Sequence, residues 1–188
     1  MSYTFSRRDF MKYTALTAVA IAGSGMLTGC SNPNRPVGTI GSTLKPGDGI
    51  CEATLLSGDS KPTYNLTDKK LVCNFKIKSI IAGLQVNEGH FQVDVTGGQH
   101  PGSYNVKTYP TGATQATFAL TSGTDATTKN QVLPDVALIV TGIDLTGATN
   151  VAVRYCPKHS ADENDKDFYN DVYATWNITD AIKVTIVD

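Results

Sequence analysis

Apolar and polar side chains alternate along most of the chain after Ile50. Every second position from 71 to 77 is apolar, for example, and β-branched residues and Thr are abundant. A period of two is typical of a strand with one buried face. The pattern predicts strands near residues 51–56, 71–77, 91–95, 104–109, 116–120, 136–140, 151–155, 173–177 and 182–186.

Gly, Pro and Asp occupy the intervals between these segments. Short strands about ten to fifteen residues apart, with such turns between them, predict an antiparallel sandwich of two sheets, of immunoglobulin-like type. From residue 31 onward no window of 12 residues carries a convincing helical stripe, although 165–172 has room for one or two turns. The predicted fold class is therefore all-β, with the sandwich spanning residues 50–188.

The first 29 residues have the organisation of an export signal. The motif Ser6-Arg7-Arg8-Asp9-Phe10-Met11-Lys12 precedes a weakly apolar run from Tyr13 to Gly29. That run is shorter and milder than the roughly 20 apolar residues that a membrane span needs, so it indicates a cleavable segment. Through Arg7, Arg8, Phe10 and Lys12 the motif resembles the twin-arginine signal, which implies export of an already folded protein. An ordinary signal peptide with a chance arginine pair is the alternative.

The residues at the end of this segment, Leu27-Thr28-Gly29-Cys30, resemble a bacterial lipobox. The resemblance implies cleavage before Cys30 and diacylation of its thiol, with Leu27 and Gly29 as recognition positions. Two or more acyl chains suffice for stable anchoring. We therefore expect an exported protein tethered to the outer face of a bacterial membrane; a chance Cys after small residues is the alternative.

Residues 30–49 are predicted to be the lipidated Cys30 followed by a flexible tether. The segment is rich in Asn, Gly, Thr and Ser and contains Pro33, Pro36 and Pro46. Such a composition is typical of a linker.

The net charge of the chain limits the kinds of partner that we expect. Residues 30–188 contain 13 Lys and Arg against 16 Asp and Glu, a formal charge of −3. A nucleic-acid surface needs a basic face, so we expect no nucleic-acid partner.

Cys51, Cys73 and Cys156 are the disulfide candidates, and three thiols allow at most one internal bond. A twin-arginine passenger would fold before that bond formed, so the fold should survive without it.

Three segments resemble the telokin-like, immunoglobulin-type domains of bacterial surface lipoproteins. The matching motifs are Lys70-Leu71-Val72-Cys73, Gly89-His90-Phe91-Gln92-Val93 and Leu133-Pro134-Asp135-Val136, within residues 69–77, 87–97 and 132–157. The resemblance implies a fold and an envelope location, and it carries over no catalytic residue.

A thiol and an imidazole lie three positions apart in Tyr155-Cys156-Pro157-Lys158-His159. The spacing resembles that of cupredoxins, in which Cys and His bind copper with a second, upstream His. His100 would be that second ligand, which gives the alternative function of copper-dependent electron transfer or metal carriage. The reading we favour is a half-cystine beside a solvated His, with no cofactor.

Two further groups of residues are candidates for ligand binding. The acidic stretch Asp162–Asp167 supplies oxygens of the kind that Ca²⁺ prefers, but Lys166 interrupts it and no Gly provides a sharp turn, so a solvated loop is favoured over structural calcium. Four aromatic residues are expected mostly in the core or on strand faces, and a sugar-stacking platform built from those that are exposed is the alternative. They are Tyr155, Tyr169, Tyr173 and Trp176.

Catalysis is not expected from this sequence. A nucleophile needs a base within hydrogen-bond reach, and His90, His100 and His159 lie in no recognisable hydrolase setting. We expect a binding or structural role at the cell envelope, with an unknown protein or glycan partner. End loops on a rigid sandwich would be the working surfaces.

Overall fold

The computed structural model describes residues 35–46, 49–121, 125–159 and 173–183, with backbone alone for Lys158, His159 and Lys183. Several predicted features lie outside this part of the chain. They are the signal residues Arg7, Arg8, Phe10, Lys12, Leu27 and Gly29, the lipidation site Cys30, Tyr169, and the acidic stretch Asp162–Asp167.

The described residues are mostly β-strand with almost no helix, which confirms the predicted all-β class. The strands are β1 (Val37–Thr39), β2 (Thr43–Leu44), β3 (Cys51–Leu55), β4 (Thr63–Asn65), β5 (Lys70–Ser79), β6 (Leu84–Gln85), β7 (Phe91–Gly97), β8 (Gly102–Tyr104), β9 (Thr117–Leu120), β10 (Asp125–Ala126), β11 (Val132–Thr141), β12 (Ala148–Tyr155), β13 (Lys158–His159) and β14 (Ala174–Asn177). Two 3₁₀ turns, Gly58–Ser60 and Glu88–His90, and the short helix α1 (Thr179–Lys183) complete the described elements. Within them, no helix is long and apolar enough to cross a membrane.

The strands form two large sheets and one small one. A five-stranded sheet has the order β1-β14-β12-β7-β8, and a six-stranded sheet has the order β2-β3-β5-β11-β9, with β4 also paired to β5. A three-stranded sheet joins β10, β6 and β13. Among the described pairs, β1 runs parallel to β14 and the others are antiparallel, so the five-stranded sheet is mixed.

The core lies between the two large sheets. Buried positions alternate along β5 because one face of the strand points into the interior, whereas β7 and β12 also bury Gln92 and Ala152 on their opposite face. The ring of Phe75 on β5 packs against Phe91 of β7 at 5.3 Å and against Trp176 of β14 at 5.4 Å, measured between ring centroids. Contacts between aromatic rings of both sheets give the fold a sandwich-like interior.

Most of the longer strands occur where the alternation predicts them, including β3, β5, β7, β11, β12 and β14. The strand β11 starts earlier than predicted, and its register with β5 shifts between Leu133 and Val136. Pro134 lies in this interval and has no N–H to donate, which explains why the ladder is interrupted there.

The predicted strand 104–109 is wrong beyond Tyr104. The Asn105 side-chain oxygen accepts hydrogen bonds from the backbone N–H groups of Lys107 and Thr108, both at 2.8 Å. The Asn105 N–H donates to the carbonyl of Thr108 at 2.9 Å. An Asn that bonds to the backbone two and three residues ahead forms a turn in place of a strand.

The predicted strand 182–186 is also wrong at Ile182, which lies in α1; Val184 and Ile186 lie outside the described residues. The carbonyl of Ile178 accepts hydrogen bonds from the N–H groups of Ala181 and Ile182. Both Ile178 and Ile182 are buried, and a spacing of four places them on the same face of a helical turn.

The predicted tether 30–49 is wrong for residues 37–44, because β1 and β2 belong to the two large sheets. The N–H of Thr175 donates to the Pro36 carbonyl, and the indole N–H of Trp176 donates to the Ser42 carbonyl at 2.9 Å. Gly38 packs so closely that an added Cβ would lie 2.7 Å from the Cβ of Ser42. The folded domain therefore begins well before Ile50.

Candidate functional site: an arginine–tyrosine cluster

The outer face of the five-stranded sheet carries a polar group centred on Asp94. This residue points outward on β7 because Val93 and Val95 on either side are buried. Its carboxylate lies 2.5 Å from Nε of Arg154 on β12, measured to Oδ2. Its other oxygen accepts hydrogen bonds from the Gln92 amide at 2.7 Å and the Ser103 hydroxyl at 2.5 Å. Side chains from three neighbouring strands, β12, β7 and β8, therefore contact the same carboxylate.

Tyr173 brings two guanidinium groups together beside this carboxylate. The central guanidinium carbons of Arg154 and Arg35 lie 4.7 and 5.1 Å from the centroid of its ring. Cations at this distance from an aromatic face are attracted by the ring quadrupole. We call Arg35, Asp94, Arg154 and Tyr173 the arginine–tyrosine cluster. It links the residues that precede β1 and β14 to the central strands of the sheet.

The cluster carries two positive charges and one negative charge on a molecule of negative net charge. The Arg154 side chain is 33% exposed and that of Asp94 is 19% exposed, but the two atoms of their ion pair, Nε and Oδ2, are buried. Guanidinium groups present several N–H donors in a fixed plane and suit polar recognition. The cluster is therefore equipped for binding and for joining elements of the sheet.

A second polar group lies where the loop between β11 and β12 meets the start of β5. Lys69 Nζ lies 2.8 Å from Asp144, whose Oδ1 also accepts a hydrogen bond from the Thr146 N–H. The Lys69 ammonium and the Thr146 N–H lower the pKa of Asp144 to about 2. Nearby, the Tyr64 hydroxyl donates to the Ile143 carbonyl at 3.0 Å and accepts from the Leu145 N–H at 3.1 Å. These contacts fix the loop between β11 and β12.

The three disulfide candidates, Cys51, Cys73 and Cys156, are all buried, and Cys51 and Cys73 are thiols. Cys51 lies opposite Ser79, six residues along β5 from Cys73. Six strand residues span about 20 Å, whereas a disulfide needs Cα atoms within about 7 Å. Burial raises the pKa of Cys51 to about 12 and also raises that of Cys73, so both thiols resist ionisation.

The register of β7 and β12 separates two of the three predicted copper ligands. Cys156 follows Tyr155, which pairs with Phe91 at the start of β7, whereas His100 follows Gly97 at the end of β7. Six residues of strand put these positions about 20 Å apart. The predicted combination of Cys156, His159 and His100 is therefore wrong, because His100 and Cys156 cannot ligate one ion. The backbone of His159 lies in β13, and its side chain is outside the described atoms.

Tyr155 and Trp176 are fully buried, which confirms them as core aromatics and excludes both from a sugar-stacking platform. Tyr155 stacks on Phe91 at 4.8 Å, and burial raises the pKa of its hydroxyl. Tyr173 contacts the two arginines described above. The part of the chain that the structure describes brings together no group of three or more His, Cys, Asp or Glu side chains able to hold a metal ion.

Sequence reasoning did not single out Arg35, Asp94 or Arg154. Asp94 and Arg154 occupy polar positions of the alternating pattern, which predicts that they lie on the surface but gives no further role. Their contact depends on the register that places Ala152 opposite Asp94 and Arg154 opposite Gln92. Comparison with family models, with curated proteins and with solved structures finds no match.

Proposed function

We propose that this protein is a lipid-anchored, extracytoplasmic domain of immunoglobulin-like sandwich type that binds a partner or presents a structural surface at the cell envelope. Cys30 would carry the lipid, the twin-arginine motif would direct export, and no step of covalent chemistry is assigned to the domain. The partner would be a protein or a glycan, with no nucleic acid bound.

The observation that carries the proposal is the order of motifs ahead of the first sheet residues. A twin-arginine motif, an apolar run of cleavable length and Leu27-Thr28-Gly29-Cys30 follow one another. The strand β1 begins seven residues after Cys30. A signal that ends where a folded domain begins is the arrangement that an anchored envelope protein needs.

Two structural features support the proposal. The domain packs its core with Cys51 and Cys73 as thiols, which suits a passenger that folds in a reducing cytoplasm before export. The arginine–tyrosine cluster places charged and hydrogen-bonding side chains on the sheet face opposite to the core, and its Arg154 side chain is 33% exposed. These features favour recognition by a rigid surface.

Export and lipidation can be tested by fractionation of a bacterial host that expresses the full chain. We expect the native protein in the membrane fraction, released by detergent and not by high salt. Cys30→Ser should move it to the soluble exported fraction, and Arg7→Lys with Arg8→Lys should leave it in the cytoplasm. Cys51→Ser, which removes a thiol far from the signal in sequence, is the matched control for Cys30→Ser. If Cys30→Ser remained in the membrane fraction as the native protein does, that result would contradict the proposal.

A further inference from the structure

The 3₁₀ turn Glu88–His90 contacts both large sheets. It leads directly into β7 of the five-stranded sheet, and the His90 carbonyl accepts a hydrogen bond at 2.9 Å from the N–H of Cys156, the residue after β12. The same turn contacts β9, the last strand of the six-stranded sheet. Opening of this turn would therefore release contacts with both sheets.

The turn is closed by a capping box whose side-chain acceptor is an imidazole. The Asn87 N–H donates to Nδ1 of His90 at 3.4 Å, and the Asn87 side chain accepts from the His90 N–H. Glu or Gln usually supplies the acceptor in such a box, and their oxygens accept throughout the neutral pH range. Nδ1 accepts only while the imidazole is neutral, because a protonated imidazole carries an N–H on both nitrogens. Protonation can therefore break the box in this protein.

Burial makes protonation of His90 incompatible with the closed turn. Only 2% of the residue is exposed, and a proton on Nδ1 would point at the N–H of Asn87, donor against donor. In an open turn the imidazole would reach water and titrate near its ordinary pKa of about 6.5. Below that pH the open state binds a proton that the closed state excludes, so acid shifts the equilibrium toward the open turn.

The ionisable side chains around the turn come from the turn itself and from two neighbouring elements, among the residues that the structure describes. The carboxylate of the turn, Glu88, is exposed, so water weakens its effect on the buried imidazole. The strand β9 carries no ionisable side chain. The end of β12 carries Arg154, which is paired with Asp94, and Tyr155 and Cys156, and the loop that approaches Gly89 through Val106 carries Lys107 and Tyr109.

We infer that His90 makes the turn Glu88–His90 a pH-sensitive switch between the two large sheets: the neutral imidazole holds the turn closed, and its protonation opens it. The switch is a property of the folded domain and does not depend on a lipid at Cys30. The amides of Asn87 and Cys156 lose their acceptors when the turn opens, because both acceptors belong to His90.

Hydrogen exchange of the full-length protein, followed by NMR from pH 7 to pH 5 and expressed as protection factors, tests the switch. Protection of the Asn87 and Cys156 amides should fall by up to about 25-fold, the ratio expected for a pKa of 6.5 in the open turn and no proton in the closed one. The Ile178 amide, bonded to the Val151 carbonyl, should stay more protected at pH 5. Loss of protection to one common level at all three amides would indicate global unfolding and would overturn the inference.

Two variants test whether His90 causes the pH dependence. His90→Gln keeps a side-chain acceptor that does not titrate in this range, so its turn should stay equally protected at pH 7 and pH 5. His100→Gln removes a histidine from the loop after β7 and is the matched control, which should keep the native pH dependence. The inference fails if the dependence survives in His90→Gln or disappears in His100→Gln.

Titration of the His90 ring in the native protein gives a second measurement that needs no variant. The ring signals should change over the same pH range in which the Asn87 and Cys156 amides lose protection. A ring that takes up a proton while both amides stay protected would contradict the switch. A turn that opens while the ring is still neutral would contradict it as well.

Discussion

At the scale of single residues, Tyr64 shows how a buried polar group organises a loop. Its hydroxyl donates to one backbone carbonyl and accepts from one backbone N–H in the segment that connects β11 to β12. The phenol ring is buried, so these bonds form away from water. Burial raises the pKa of Tyr64, which keeps the hydroxyl protonated as a donor.

Tyr64→Phe should therefore destabilise the domain. The substitution keeps the ring but leaves the Ile143 carbonyl and the Leu145 N–H without this partner, at a cost of about 1–3 kcal/mol in the free energy of unfolding. Tyr109→Phe is the matched control, because Tyr109 is 46% exposed and should change stability by less than about 0.5 kcal/mol. Urea unfolding measures both, and equal effects of the two variants would contradict the role of Tyr64.

The ion pair between Lys69 and Asp144 should give stability that depends on pH. The folded state lowers the pKa of Asp144 from 3.8 to about 2, so the carboxylate stabilises the fold above its unfolded pKa. That contribution is lost as the pH falls from about 4 to about 2 and below. Asp144→Asn should be less stable than the native protein at pH 7, and the difference should shrink over this range. Urea unfolding of both proteins between pH 7 and pH 2 measures this, and a difference that is the same at every pH would contradict the role of the ion pair.

At the scale of elements, the length of a strand determines whether its apolar residues repeat often enough for the strand to be predicted. The strands β5, β7, β11 and β12 are long enough to repeat an apolar position several times, and alternation predicts all of them. The strands β1 and β2 contain three and two residues, too few for a period. The Gly, Pro and Thr residues in and around them are typical of a linker, so the sequence predicts a tether there. Local side-chain bonds also override pattern, as Asn105 does where it ends β8.

Gly38→Val should destabilise β1 and with it the domain. An added Cβ would lie 2.7 Å from Ser42, and relief of such overpacking typically costs about 1–3 kcal/mol. Val37→Thr changes the adjacent, exposed residue and should leave the free energy of unfolding nearly unchanged. If both variants unfold at the same urea concentration as the native protein, β1 is not an integral part of the sheet.

The arginine–tyrosine cluster should behave as an energetically coupled unit. In a double-mutant cycle, Arg154→Gln and Tyr173→Leu should show a coupling of about 0.5–1 kcal/mol in the free energy of unfolding, because each removes one partner of the same cation–π contact. Lys76, exposed on β5 in the other large sheet, provides the control. Lys76→Gln and Tyr173→Leu should be additive, and a coupling as large as that of the first pair would argue against a specific contact.

At the scale of the whole molecule, the sequence predicts the class of the fold but not its surface chemistry. Period-two patterning requires sheets that share an interior, and the contacts of Phe75 with Phe91 and Trp176 show that interior. The contacts of Asp94 depend on which strands are neighbours, because Asp94 and its partners Ser103 and Arg154 come from three strands. Strand order sets these contacts, and no local pattern encodes it. For the same reason, the spacing of Cys156 and His159 gave no indication that His100 lies at the far end of β7.

The central claim is that a lipid-anchored sandwich works outside the cytoplasm, and intact mass spectrometry of the membrane-extracted protein tests it most directly. The account predicts a polypeptide that begins at Cys30 and carries the added mass of a diacylglyceryl group on that residue. A polypeptide that retains Met1, or one that begins elsewhere with Cys30 unmodified, would contradict it.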